Sequence, residues 1–312
     1  AEKYLEEFRV RFGEIPEYIH SKAGWNRAKG NHAQYYQLIK KLYFEFPVYM
    51  MNNREYETIR DSILFERLEK AKVHWNLLVN FFSKAVALEN QESKAEEKEA
   101  LDRQIDEEMK QVISAYKEVL EIEPMHIQAI KGMLYCFSEK GDFEETENFK
   151  EKLEKAENYW NEQINKRSQA CLTAAKKVFG DKQYELAIQI INMGLATSPS
   201  HRDLLLIKAD VLKELKRFRD ATACVDLVLK KYPNDSVSSR MKKEIQAGRV
   251  NETLQVGLLR LQEAEQKLPG SDLQRLLREA QECFFEVLDL EPNNLKALIA
   301  LYQTQILTDN PI

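Results

Sequence analysis

Glycine and proline are scarce in this chain of 312 residues, with 10 Gly and 8 Pro. An all-β protein of that length needs many tight turns, and tight turns draw on those two residues. Long stretches without a breaker favour helices instead. The four cysteines, Cys136, Cys171, Cys224 and Cys283, are singletons with no CxxC pair, so neither a disulfide framework nor a thiolate metal site is indicated. In apolar helical settings such thiols act as small hydrophobes. That usage points to a reducing, cytoplasmic compartment, and a periplasmic home requires a signal or anchor upstream of Ala1. No apolar run reaches the roughly 20 residues that span a bilayer, and no signal peptide is visible.

Basic charge is also short. Lys and Arg number 46 against 51 Asp and Glu, for a net charge of −5 and a pI near 5.8. An acidic surface repels phosphate, so no nucleic-acid partner is expected. The local basic run Lys208, Lys213, Lys216, Arg217 and Arg219 reads as a solvated helix end. Catalytic and cofactor signatures are missing: there is no HExxH, GxSxG, Walker loop or GxGxxG. Carboxylate pairs such as Glu107-Glu108 and Glu144-Glu145 read as solvated helix faces. The expectation is a protein that is not an enzyme, without metal or cofactor.

A repeat is present. Pro199 and Pro233 stand 34 residues apart, and the residues ahead of them match in register. With each terminal Pro set at position 32, the unit 168–201 has Cys171, Ala174, Ala175 and Val178 at 4, 7, 8 and 11. It then has Tyr184, Ala187, Ile191 and Gly194 at 17, 20, 24 and 27. The unit 202–235 has Leu205, Lys208, Ala209, Leu212, Phe218, Ala221, Val225 and Val228 in those slots. A 34-residue period with an aromatic, a small residue three later and a Pro twelve after that means a helical-hairpin repeat.

Weaker copies flank these two. Residues 127–160 carry Ile130, Met133, Leu134 and Phe137, then Gly141 at a helix end, with Thr146 in the small-residue slot. Trp75, Leu78, Val79 and Phe82 form a first helix from about 72; Tyr116, Val119 and Pro124 close its partner, after an acidic insertion over 89–106. Gly30, Tyr35, Ile39, Leu42 and Pro47 make half a unit, and Ala280, Phe284, Val287 and Pro292 another. The first helix of the latter is expected at 250–267, with Pro269-Gly270-Ser271 as its turn. The step from Pro124 to Pro199 is 75 residues, or 34 plus 41, so Lys155 to Arg167 predicts a lengthened helix. Residues 48–71 fit no unit; Tyr56, Ile59, Ile63 and Leu64 predict an amphipathic helix running towards Trp75. His126 and His201 both lie two residues after a repeat Pro, which gives them a structural role in the turn.

The organisation expected is a degenerate N-terminal helical region at 1–71, a unit with an acidic insertion at 72–126, and three well-matched units at 127–235. A long degenerate unit with a terminal helix follows at 236–312. The absence of an initiator Met fits a processed or excised chain. The apolar helix after Asn293-Asn294 fits either a longer natural chain or a docked end, the latter a route to homo-oligomers.

These residues resemble the tetratricopeptide repeat family. The resemblance implies an all-α fold, a right-handed α-solenoid of helix-turn-helix units, stacked because one unit cannot bury its face alone. It implies a concave groove lined by first helices at positions 2, 5, 9, 12 and 13. Carried onto this sequence, the partner-binding residues are Gln128, Lys131 and Tyr135, then Gln169, Leu172, Lys176 and Phe179, then Asp203, Leu206, Asp210 and Lys213. The helix near Trp75 adds Asn76, Asn80 and Lys84. Chaperone-binding members resemble one another in a carboxylate clamp; here Lys131 fits it, but Tyr135 and Thr173 do not.

The function expected is a scaffold or adaptor that holds other proteins or peptide segments within a larger assembly. Bacterial cell-envelope and flagellar-motor complexes suit it, as do eukaryotic trafficking or ciliary adaptors. The alternative is a receptor for a small ligand or short peptide, with Trp75, Phe81, Phe82 and Tyr43 as cavity walls.

Overall fold

The structure is a computed structural model that describes residues 4–5, 9–10, 14–88, 95–266 and 270–309. Among the described residues there are twelve helices and no strand. They are α1 (Pro16–Ala28), α2 (His32–Glu45), α3 (Glu55–Leu88), α4 (Ala95–Ile122), α5 (Ile127–Glu139) and α6 (Phe143–Gly180). The remainder are α7 (Tyr184–Thr197), α8 (Arg202–Glu214), α9 (Phe218–Lys231), α10 (Ser236–Glu265), α11 (Ser271–Leu290) and α12 (Leu295–Asp309). The all-α helical-repeat fold matches the sequence expectation.

Local chemistry sets the helix starts. A side-chain acceptor caps the first turn where the backbone N–H groups lack partners. Asn31 accepts from Gln34 N at 3.2 Å, Asp142 from Glu145 N at 3.1 Å and Asp235 from Ser238 N at 3.1 Å. The two turn histidines do the same: Nδ1 of His126 accepts from Ala129 N at 3.2 Å, and that of His201 from Leu204 N at 3.3 Å. Their role is structural, as expected.

The helix ends repeat a single backbone device. Gly30, Gly141, Lys182 and Lys216 all occupy position 15 of their units, with φ of 74°, 69°, 59° and 59°. In each case the next residue donates its N–H to the carbonyl five positions back. These bonds are Asn31 to Asn26 at 2.9 Å, Asp142 to Phe137 at 3.0 Å, Gln183 to Val178 at 3.1 Å and Arg217 to Leu212 at 2.8 Å. A left-handed residue closed by that bond satisfies the orphan carbonyls of the finished helix.

The chain divides into two compact units: Ala1–Thr173 with Ala196–Ser198, and Ala174–Leu195 with Pro199–Ile312. The block expected at 127–235 is thus shared between them. In the first unit α1 packs on α2, α3 on α4 and α4 on α5, over a core that includes Ile19, Tyr36, Ile39, Leu78, Val112 and Ile130. In the second unit α8, α9 and α10 enclose Leu205, Ala209, Leu212, Val225 and Ile245. A further cluster of that unit joins α10, α11 and α12 through Leu261, Leu277, Ala280, Phe284 and Ala297. The small residues of the repeat, Ala175, Ala187, Ala209, Ala221 and Ala280, are all fully buried, as close helix crossing requires.

Three helices are longer than their units. α6 runs unbroken through 155–167, so one unit's second helix continues into the next unit's first. α3 runs from Glu55 across the expected boundary at 71/72, so the amphipathic helix expected over Tyr56, Ile59, Ile63 and Leu64 is present and continues unbroken into the helix expected from 72. α10 begins at Ser236 rather than near 250, because Asp235 caps it there and no proline interrupts 236–265. Of the acidic insertion, 95–106 is the start of α4, while 89–94 lie outside the described residues, as does Pro269.

Candidate functional site

On α3, Asn76, Asn80 and Lys84 are exposed and follow each other at i, i+4 and i+8, on one helix face. Val73 and Leu77 share that face, 56% and 39% exposed. On α5, Gln128, Lys131 and Tyr135 are exposed. Tyr135 meets Trp75 edge-on with ring centroids 5.0 Å apart. Trp75 follows the core-facing stripe of Ala71, Leu78 and Phe82, so this contact joins α5 to α3 on the side away from Asn76, Asn80 and Lys84. Burial and the neighbouring Glu139 push the Tyr135 phenol above its ordinary pKa.

The remaining groove residues scatter. Gln169, Lys176 and Asp203 are exposed, and Phe179 is half-buried against Tyr184 at 5.9 Å. Asp210 pairs with Lys213 at 3.0 Å, and Lys213 also lies 3.8 Å from Glu244. Leu172 and Leu206 do not face a groove. They are 2% and 7% exposed, and Leu206 packs with Leu205 and Ala209 in the second unit's core. Burying a leucine is worth about 1.5–3 kcal/mol, and α8 is buried continuously from Leu204 to Ile207, leaving that position no open side. Nor do three of the four expected cavity walls converge. Trp75 lies on Tyr135 and Phe82 borders a small hollow beside Leu101, whereas Tyr43 lines a different cleft. The basic run is paired: Lys208 with Asn192, Lys216 with Glu252, Arg217 with Asp220 and Arg219 with Glu286.

The cleft that Tyr43 lines holds about 750 Å³ and belongs wholly to the first unit. Tyr36 and Tyr43 reach it from α2, Tyr56 and Arg60 from α3, Lys131 from α5 and Trp160 from α6. Tyr36 and Tyr43 are seven residues apart, and Tyr56 and Arg60 four apart, so each pair shares a helix face. The rings form a continuous wall: Tyr43 stacks on Tyr56 at 4.4 Å, Tyr36 on Tyr56 at 6.0 Å, and Phe44 meets Trp160 at 5.9 Å. Trp160 is fixed by its indole N–H, which donates to the Met125 carbonyl at 2.7 Å.

Behind the rings lies an ion pair. Lys40 Nζ donates to Glu123 Oε2 at 2.7 Å, with both side chains buried. Burial, then the neighbouring Tyr56 and Glu123, hold the Tyr36 phenol far above its ordinary pKa. Burial pushes the Tyr56 phenol up to about 12. Both tyrosines are therefore neutral and serve as polar-tipped walls. Arg167, 5% exposed, lies over the Tyr43 ring at 3.6 Å. It donates to the Tyr43 carbonyl and, at 3.1 Å, to Thr197 Oγ1.

Sequence reasoning missed Tyr36, Tyr56, Arg60, Trp160 and Arg167 as one site. The aromatic density of α2 was a usable signal; the convergence of five helix segments was not.

No protein-family model matches the chain, and no curated protein matches it. Among solved structures it is similar to YrrB, a TPR protein with an unusual peptide-binding site. Identity is 13%, over 69% of this chain and 95% of that one, with a TM-score of 0.23. It is also similar to a tetratricopeptide repeat protein from Parabacteroides merdae, at 14% identity over 78% and 99% of the two chains and a TM-score of 0.26. A third is human IFIT1, a dimer with m7Gppp-AAAA, at 12% identity over 97% and 67% and a TM-score of 0.26.

Proposed function

We propose that this chain is a non-catalytic interaction scaffold that holds partner proteins within a larger assembly, and that the exposed α3 face carrying Asn76, Asn80 and Lys84 is a working surface. One observation carries the reading. Val73 and Leu77 stand exposed on the same α3 face as Asn76 and Asn80. A helix face that only meets water is more often charged. Amides spaced one turn apart donate to and accept from a peptide backbone, while the intervening aliphatics take its side chains. A preformed helical surface also keeps the ordering entropy of binding low. The assembly this proposal names is a bacterial envelope or flagellar-motor complex.

The test compares wild type with a Leu77→Lys/Asn80→Ala variant in affinity capture from the source organism, read by mass spectrometry. Circular dichroism first confirms equal helicity. Proteins captured by wild type and lost by the variant support the reading. An identical set from both chains removes this face from the proposal.

A further inference from the structure

We propose that the aromatic cleft of the first unit binds a peptide segment of a partner protein through an acidic side chain set beside an aromatic or aliphatic one. The inference rests on the protein-interaction reading above and adds a second, chemically distinct surface to it.

The charges around the cleft decide the ligand's sign. Lys40, Arg60, Lys131 and Arg167 stand in or directly behind its wall. The carboxylates opposing them are Glu123, Asp61 and Glu157. Glu123 and Lys40 offset each other as a buried pair. Arg60 pairs with Asp61 at 2.9 Å and Lys131 stands 3.9 Å from Glu157, all four side chains about half exposed or more, so these rim pairs are screened on both sides by water and salt and leave the inner charge to decide the sign. Arg167 is buried with a carbonyl and a hydroxyl as its hydrogen-bond acceptors, so its charge is uncompensated by an ion partner among the described residues. A buried, unpaired guanidinium raises the potential of the space beside it. The interior is therefore positive and favours an anion.

A cationic ligand is excluded by the same geometry. Ring faces attract cations, but here the chain fills them itself: Lys40 lies 5.6 Å from the Trp160 centroid, Arg60 lies 6.0 Å from that of Tyr56, and Arg167 covers Tyr43. What remains are ring edges, Ile127 and Leu64, which suit an apolar side chain. The volume matches sites that enclose a small ligand or a few side chains. Nucleic acid is disfavoured because the cleft is one hollow rather than a basic track, and the whole chain is acidic.

The test uses the full chain and a displayed library of random 12-residue peptides; selected sequences are then synthesised with a dye and measured by fluorescence anisotropy. The expected result is enrichment of an Asp or Glu within three positions of an aromatic or aliphatic residue. Affinity falls at least tenfold in Arg60→Glu/Lys131→Glu, weakens with added salt and is unchanged in Leu77→Lys/Asn80→Ala. Because Arg60 and Lys131 are 48% and 57% exposed, the variant keeps its fold, which circular dichroism checks. Enriched peptides without acidic residues, or equal binding to the cleft variant, overturn the inference. So does a library that yields no binder. If binding is lost only in the α3 variant, the scaffold reading stands and the cleft assignment fails. A labelled single-stranded oligonucleotide that binds and is displaced by the cleft variant, with no peptide selected, also overturns it.

Discussion

Lys40 and Glu123 lie 83 positions apart in the chain and meet at 2.7 Å, with side-chain exposures of 6% and 1%. The pair ties α2 to the end of α4 beneath the aromatic cleft. Only one carboxylate oxygen is satisfied: Oε2 takes the lysine, and Oε1 is buried without a hydrogen-bond partner. Removing one member of a buried pair leaves an uncompensated charge, at a cost of about 3–5 kcal/mol, whereas replacing both by apolar groups is often neutral. Lys40→Met should therefore destabilise the chain by about 3 kcal/mol, and Lys40→Met/Glu123→Leu should recover most of that loss. Urea denaturation of the three proteins checks this; equal losses in the single and double variants would show that packing, not charge, sets the cost.

The shared left-handed position of the repeats makes a second prediction. Lys182 has a φ of 59° where Gly141 has 69°. An L-residue with a Cβ is strained there by about 1–2 kcal/mol, partly offset by the greater freedom glycine loses on folding. Lys182→Gly should stabilise by about 0.5–1 kcal/mol. Gly141→Ala should destabilise by about 1 kcal/mol, since open space surrounds its Cβ position and conformation alone opposes it. Thermal melting should move the two variants in opposite directions.

Local chemistry explains what was legible in the sequence. Small residues at Ala175, Ala187, Ala209 and Ala221, and turn residues at Gly141, His126 and His201, act within one hairpin, so a 34-residue register displays them. The start of α10 was misplaced because a unit template expects a turn where Asp235 caps an unbroken run. Leu172 and Leu206 were misassigned for a related reason: the template assigns one open side per helix, while the run Leu204 to Ile207 signals burial all round. The cleft was illegible because its parts come from α2, α3, α5 and α6 and from the end of α7. No spacing rule pairs Lys40 with Glu123, or Arg167 with Tyr43 at 124 positions' separation.

The histidine cap of α5 gives the chain an acid-sensitive joint. Nδ1 of His126 can accept from Ala129 N only while unprotonated. Burial lowers the His126 pKa from its ordinary 6.5, outweighing the opposing pull of Glu123. A histidine whose folded pKa lies below its unfolded value stabilises the fold fully above the unfolded pKa. That contribution shrinks as pH falls below about 6.5 and is lost as pH passes through the folded value. Protonation also places a positive charge at a helix N-terminus, where the dipole opposes it. His126→Asn keeps a capping oxygen without the titration. Its stability relative to wild type should be near zero at pH 7.5 and rise by about 1 kcal/mol at pH 5, the typical worth of an N-cap. Carboxylates that titrate in both proteins, Glu55 among them, cancel in that difference. Urea midpoints measured at both pH values check it, and a difference that stays flat with pH would show that His126 caps α5 without sensing protons.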